Sequence, residues 1–201
     1  MNLSVRPLPL FVRLALVGLV GAGCGRTAPA PAPAPPAPRA VENAVLELAV
    51  RPLPAGFEVA ENAGDRLRFD AVSDGIPGSL VVTVGPPNPS GVNLPGEAKL
   101  WGDQMSAAGG RFFGGNQLVT PYGSAFTVRA LVDGGASEER RVYLLHPGGG
   151  DRLVVLALRY PPGDAGAANA RLRQLLDFLG ALEAFRDPGA TAAPATAPPA
   201  P

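Results

Sequence analysis

Residues 124–160 read SAFTVRALVDGGASEERRVYLLHPGGGDRLVVLALRY, and this stretch decides the fold class. Three runs within it are rich in apolar and β-branched residues: 124–132, 140–145 and 152–160. Clusters of turn-forming residues separate these runs, DGG at 133–135 and PGGGD at 147–151. Because short connections of this kind join antiparallel neighbours, the stretch predicts a three-stranded meander.

Further strands are predicted upstream of the meander. Phe57–Glu61 and Arg66–Val72 alternate apolar and polar residues on either side of a turn, which indicates a hairpin. In Ser79–Val84 apolar and β-branched residues occupy both odd and even positions, as in a strand that is buried on both faces. Gly85–Pro89 is expected to end this strand. Ala44–Val50 is also predicted to be a strand, with a short helix as the alternative.

Two segments have helical spacing instead. In Glu97–Ala108 the apolar residues, Trp101 among them, recur at intervals of three and four, and two glycines follow. The last helix is expected to begin after the N-cap residue Asp164 and to end before Pro188. Its apolar face consists of Leu172, Leu175, Leu176, Leu179 and Leu182, and its polar face of Arg171, Arg173, Gln174, Asp177 and Glu183.

Together these elements predict a single α+β domain over residues 41–187. The fold is expected to be mainly an antiparallel β-sheet, with a mid-chain helix and a C-terminal amphipathic helix packed on it. The composition, 46% hydrophobic and 17% charged, suits a packed core in a domain of this length.

Several short segments carry a family resemblance: Leu53–Phe57 before a strand, Leu67–Asp70, Leu100–Gln104, Arg141–Leu145, Leu153–Leu156 and the terminal leucine-rich helix. In this order they resemble the PsbP-like superfamily, which spans PsbP, Mog and DcrB-type proteins. The resemblance implies an antiparallel sheet between helical layers and an accessory or partner-binding role. It implies no shared catalytic site.

The N-terminus has the pattern of an export signal. Residues 1–23 carry two arginines, an apolar run too short to be a stable membrane helix, and small residues before Cys24, the only cysteine. Gly21–Cys24 resembles the lipobox of bacterial lipoproteins, although Gly21 stands where a branched residue is usual. We therefore predict a signal peptide over 1–23, cleavage between Gly23 and Cys24, and acyl chains such as palmitate on Cys24. The alternatives are secretory cleavage that leaves a free thiol, an uncleaved anchor, and a coincidental cysteine.

Low-complexity segments flank the predicted domain. Residues 24–40 are rich in alanine and proline, which predicts a polyproline II tether that rises about 3.1 Å per residue and holds the domain about 40 Å from the membrane. Residues 188–201 repeat this composition and are predicted to be a disordered tail. Because Gly25 rather than aspartate follows Cys24, we expect the cell envelope location to be the outer membrane, facing the periplasm or the surface.

The charge pattern excludes nucleic acid as an expected partner. Removing residues 1–23 takes away two arginines and no carboxylates, which leaves 15 lysines and arginines against 17 aspartates and glutamates. A faintly acidic chain whose arginines stand in short pairs has no basic stripe for a phosphate backbone.

The only histidine, His146, precedes a glycine-rich turn. To act as a general base it would need a nucleophile such as Ser124 or Ser137 and an orienting Asp151, with Tyr143 nearby. Because the sequence contains no G-x-S-x-G elbow, a structural role in the turn is favoured over a hydrolase site.

No metal or other cofactor is expected. One histidine and one cysteine committed to lipid leave too few ligands for zinc. The carboxylates near predicted turns are Asp133, Glu138, Glu139 and Asp151, but they lack EF-hand spacing. Solvated surface charges are therefore favoured over a calcium site.

These observations predict a non-enzymatic accessory module, anchored by lipid, that binds another envelope protein. The alternatives are a small-molecule or metal-binding lipoprotein, a hydrolase that uses His146, or a structural surface protein that binds no ligand. The candidate partner contacts are Asn93, in the long loop 85–95, and Trp101 on the helix that follows. For the loop the alternative is a rigid cover over a sheet edge. For Trp101 the alternative is core packing, which its apolar neighbours favour.

Overall fold

The structure, a computed structural model, describes residues 39–185. The predictions for the signal peptide, for Cys24, for the tether up to residue 38 and for the 188–201 tail lie outside the described residues. Within 39–185 the chain is an α+β fold of two helices and mainly antiparallel sheet, as the sequence predicts.

The described strands and helices follow one another along the chain. The strands are β1 (Val41–Asn43), β2 (Leu48–Val50), β3 (Phe57–Ala63), β4 (Arg66–Ser73), β5 (Ile76–Pro87), β6 (Arg111–Thr120), β7 (Gly123–Val132), β8 (Ser137–Leu145), β9 (Arg152–Tyr160) and β10 (Leu182–Ala184). The helices are α1 (Leu94–Ala107), between β5 and β6, and α2 (Ala165–Ala181), between β9 and β10. In this part of the chain, no helix has the length and apolar character needed to span a bilayer.

Seven strands form one sheet in the order β3-β4-β5-β9-β8-β7-β6, with every neighbouring pair antiparallel. Helix α1 carries the chain from β5 to β6 at the opposite edge. Strands β6 to β9 then return one by one until β9 pairs with β5, so the predicted meander is confirmed as β7, β8 and β9. A smaller sheet has the order β1-β2-β10.

The two helices cover opposite faces of the large sheet. Successive residues of a strand point to opposite faces, and on β8 Val142 lies in the core with α2 whereas Tyr143 lies in the core with α1. On the α2 face, Phe178 of α2 meets the rings of Phe57 and Phe69 edge-on at 5.0 and 4.9 Å. On the α1 face, α1 packs on β6, β7 and β8. Among residues 39–185, no helix covers the part of this face formed by β4 and β5, and Val155 of β9 lies at the border of the α1 core.

Two predicted strand boundaries are wrong. Ala44–Val50 is not one strand, because residues 44–47 form a turn in which the Asn43 Oδ1 accepts a hydrogen bond from the Leu46 N–H at 2.9 Å. Strand β5 does not end at Gly85 but continues to Pro87. A register break between Val84 and Pro87 lets the prolines fit there, because a bulged strand does not need their missing N–H donors.

The helices also differ from their predicted extents. Helix α1 begins at Leu94 rather than Glu97, and α2 ends at Ala181, so that Leu182 belongs to a strand. Arg171 does not lie on an exposed polar face of α2: it is buried, and its Nη1 donates to the Pro161 carbonyl oxygen at 2.8 Å. The guanidinium can be buried there because it also lies over the Tyr160 ring, 4.9 Å from the centroid.

Candidate functional site

The open part of the α1 face forms a cleft of about 450 Å³ across β4, β5, β8 and β9. Small and β-branched side chains line its centre: Ser79, Val81, Thr83, Val155 and Ala157. Charged side chains surround them, and these are Arg66, Arg68, Arg141, Arg159 and Glu139. We refer to this surface as the arginine cleft.

Glu139 on β8 holds two of the arginines in place. Its side chain is only 4% exposed, and it accepts hydrogen bonds from Arg141 Nε at 2.6 Å and from Arg159 Nε and Nη2 at 3.0 and 2.6 Å. A buried carboxylate is stable only when it is paired and hydrogen-bonded. The pairing therefore restricts both guanidiniums, and a ligand would meet arginines that are already ordered.

Trp101 supports the same arrangement from α1. The Arg141 guanidinium lies 4.4 Å from the Trp101 ring centre, a cation–π contact, and the indole packs edge-on against Phe112. Trp101 is 4% exposed, so the structure places it in the core between α1 and the sheet. Close approach of helix and sheet requires Gly102, where a Cβ would lie 2.9 Å from the Phe112 ring.

Tyr143 lies beneath α1 beside Arg141. Burial raises the pKa of the Tyr143 hydroxyl, and the positive charge of Arg141 opposes that rise. The hydroxyl is therefore protonated at neutral pH. It has no hydrogen-bond partner among residues 39–185, and neither has the Trp101 indole N–H.

The two arginines on β4 are less constrained. Arg68 lies 3.6 Å from Asp70 in an exposed ion pair, and Arg66 has no ion pair with any residue from 39 to 185. Beyond them, Glu58 and Glu61 of β3 pair across the sheet with Asp70 and Arg68. Cross-strand partners lie on the same face of a sheet. The arginines of the cleft are therefore bordered by the glutamates of β3, which is the edge strand.

Asn93, the other predicted partner contact, caps α1. Its Oδ1 accepts the Gly96 N–H at 3.1 Å and its carbonyl accepts the Glu97 N–H at 2.9 Å. The side chain is exposed at the start of the helix and is absent from the residues that line the cleft.

His146 has a structural role in the turn after β8. The Gly148 N–H donates to its Nδ1 at 3.1 Å, which requires the proton on Nε2, and Nε2–H donates to the Leu46 carbonyl at 2.9 Å. The buried imidazole thereby ties this turn to the turn at 44–47. In the described part of the chain, neither ring nitrogen bonds to Ser124, Ser137 or Asp151.

Three of the four carboxylates weighed as calcium ligands lie in ion pairs, whereas Asp151 has no ion pair with any residue from 39 to 185. Asp133 and Glu139 both accept from Arg159, and Glu138 accepts from Arg129 at 2.9 Å. Across residues 39–185 there is no group of three or more acidic, histidine or cysteine side chains placed to hold a metal ion.

The sequence analysis missed the residues that build the cleft. The available signal was Glu138-Glu139-Arg140-Arg141, four consecutive charges at the start of an otherwise apolar strand. Because strand side chains alternate between faces, these four residues put one glutamate and one arginine on each side of the sheet.

No protein-family model matches the chain, and no curated protein matches it. The chain is similar to the solution structure of cyanobacterial PsbP (CyanoP) from Synechocystis sp. PCC 6803, with a TM-score of 0.47 and 9% sequence identity. The match covers 73% of this chain and 92% of that chain.

Proposed function

We propose that this chain is a lipid-anchored accessory protein of the bacterial cell envelope, more specifically of the outer membrane. Its folded part is a non-enzymatic module that binds an acidic segment of another envelope protein in the arginine cleft. The observation that carries the proposal is the buried Glu139, which orders Arg141 and Arg159 beside a part of the sheet that no helix among residues 39–185 covers.

Charge complementarity specifies the partner. The cleft contains four guanidiniums and a single carboxylate, and that carboxylate is already satisfied by two of them. Arginine recognises carboxylates through paired donors in a fixed plane. The acidic edge strand next to the cleft would repel a uniformly acidic surface, so a narrow acidic segment fits better than a broad acidic face.

Two features support a binding module over an enzyme. Both nitrogens of His146 are engaged by backbone groups, and the Tyr143 hydroxyl is held in its neutral form. The cleft itself presents only arginines, one paired glutamate and small side chains. This set can bind and orient an anion, and Glu139 accepts from Arg141 and Arg159 rather than from the Ser79 or Thr83 hydroxyl, so within the cleft no nucleophile is hydrogen-bonded to a base.

The lipid anchor is proposed from the amino-acid sequence alone. The only cysteine follows an apolar export segment, and an alanine- and proline-rich tether separates it from the fold. Several acyl chains, each methylene contributing about 0.8 kcal/mol on burial, hold a protein at a membrane without a spanning helix.

Site-specific photocrosslinking in intact cells tests the cleft. A photoreactive residue at Thr83, inside the cleft, should give an adduct whose crosslinked peptide is rich in aspartate and glutamate. The same residue at Val119, which is 93% exposed and outside the cleft, should not. Arg66→Glu should abolish the Thr83 adduct, whereas Arg173→Glu on exposed α2 surface should leave it. Equal adducts at Thr83 and Val119 would refute the proposal.

A separate experiment tests the anchor. Cys24→Ser should move the protein from the membrane fraction to the soluble fraction and remove labelling by radioactive palmitate. If Cys24→Ser stays in the membrane fraction, an uncleaved signal or another attachment must hold it.

A further inference from the structure

A second arginine cluster lies on the opposite, α2 face of the sheet, beside the first turn of α2. It surrounds a pocket of about 370 Å³ lined by Phe113 and Asn116 of β6 and by Thr127, Arg129 and Arg140 of β7 and β8. Arg140 reaches toward the Ala168 carbonyl of α2 at 3.5 Å. We call this site the α2-face pocket, and it shares no residue with the arginine cleft.

The pocket concentrates positive charge around one carboxylate. Glu138 is buried and accepts from Arg129 at 2.9 Å, whereas the nearest Arg140 nitrogen is 3.9 Å away. Arg129 and Arg140 are direct cross-strand partners, a placement that is unfavourable for like charges. Arg111 and Arg129 both lie against the Phe113 ring, at 5.1 and 4.8 Å. Two guanidiniums, those of Arg129 and Arg140, therefore share the Glu138 carboxylate, and that of Arg111 lies close by on the Phe113 ring.

The arginines of the pocket also have unused hydrogen-bond donors. The Nε atoms of Arg129 and Arg140 are buried and have no acceptor among residues 39–185. Burial lowers the pKa of Arg140; Glu138 opposes this effect and the neighbouring Arg129 adds to it. Arginine side chains are always charged in proteins, so Arg129 and Arg140 together carry more positive charge than Glu138 balances. The charges around Glu139 in the arginine cleft are better balanced, because Arg159 also pairs with a second carboxylate, Asp133, at 3.0 Å.

We propose that the α2-face pocket binds a small soluble oxyanion, a carboxylate or a phosphate group. Arg129 and Arg140 donate to the oxyanion, and the half-exposed Phe113 ring provides an apolar surface for the rest of the molecule. A bound oxyanion supplies the missing negative charge and accepts the free donors, because guanidinium and oxyanion match in charge and in hydrogen-bonding geometry. This site is independent of the proposed protein partner.

The wild-type full-length chain in a neutral detergent provides the direct test. Its arginine Nε–H resonances are followed by NMR during titration with inorganic phosphate and, separately, with succinate, each against sodium chloride at equal ionic strength. Saturable shifts of Arg129 and Arg140 in either titration, with Arg173 unchanged, support the site and identify which group it takes. No saturable shift in either titration, or an equal shift of Arg173, would overturn the proposal.

Variants provide a second measurement. Arg129→Gln should weaken binding about tenfold or more, because it removes one of two charge-assisted donors. Arg173→Gln makes the same charge change on an exposed part of α2 and should leave the affinity unchanged. If both variants weaken binding equally, the effect comes from net charge and the proposal is overturned. Should Arg129→Gln fail to fold, the wild-type titration still decides.

Discussion

Replacing Glu139 by glutamine should destabilise the protein far more than removing an equally short ion pair at the surface. Glutamine has nearly the same shape, but it removes the negative charge between Arg141 and Arg159 and turns one acceptor into a donor. In the wild type, Glu139 accepts three hydrogen bonds of 2.6, 2.6 and 3.0 Å while its side chain is 4% exposed.

The expected magnitude follows from this burial. Removing one partner of a buried ion pair costs about 3 to 5 kcal/mol, because the other charge is left unbalanced. Here the side chains of Arg141 and Arg159 are 28% and 45% exposed, so water reaches part of each guanidinium. We therefore expect a loss at the lower end, about 3 kcal/mol in the free energy of unfolding.

Asp103→Asn is the matched control. It makes the same chemical change at the Lys99–Asp103 pair, which is also 2.6 Å long but whose side chains are 76% and 64% exposed. An exposed helical pair of this kind contributes about 0.3 to 0.5 kcal/mol.

Urea denaturation followed by fluorescence of the single tryptophan, Trp101, measures both variants. The midpoint should fall strongly for Glu139→Gln and very little for Asp103→Asn, with similar slopes. If Glu139→Gln lost less than about 1 kcal/mol, a buried carboxylate would not be what orders the cleft.

Three further predictions concern packing, capping and pH. Gly102→Ala should cost about 1 to 3 kcal/mol of stability because its Cβ would lie 2.9 Å from the Phe112 ring, whereas Gly180→Ala on α2, with no atom within 4 Å, should be neutral or stabilising in thermal unfolding. Asn93→Ala should cost about 1 kcal/mol in the same assay, and Asn93→Asp should retain most of the stability because it keeps the oxygen that caps α1. All three tyrosines have a pKa raised above the ordinary value of 10.0, chiefly by burial. Because the folded state binds the tyrosine protons more tightly than the unfolded state, the tyrosines contribute fully to stability below pH 10.0, and this contribution is lost as the pH rises through their raised pKa values. An absorbance titration in which tyrosinate formed below pH 10.0 would contradict this prediction.

The spacing of apolar residues in the sequence correctly predicted the strands and helices that have a regular periodicity. The β3–β4 hairpin, the β7–β9 meander and α2 were all predicted from alternation or helical spacing, since each such pattern depends on residues close together in sequence. Strand β6 was not predicted. Its run Gly114-Gly115-Asn116 has no strand preference, and it is a strand because β7 pairs with it across a register break.

The binding surfaces could not be located from sequence for a different reason. Glutamates near a turn are expected to be solvated, yet both Glu138 and Glu139 are buried. What buries them is a set of arginines on neighbouring strands: Arg159 is 20 residues from Glu139, and Arg129 is 9 from Glu138. Trp101 likewise could be assigned to an apolar helix face from spacing, but its contact with Arg141 could not.

By itself the amino-acid sequence determined the fold class, the alternation that assigns each strand residue to one face or the other, and the Asp164 cap that begins α2. These depend on interactions between residues a few positions apart. Only the tertiary structure decided which part of the sheet α1 covers, which arginines pair with each glutamate, and hence where the two arginine clusters lie. Those outcomes depend on strand order and on pairing between distant segments, which local pattern does not encode.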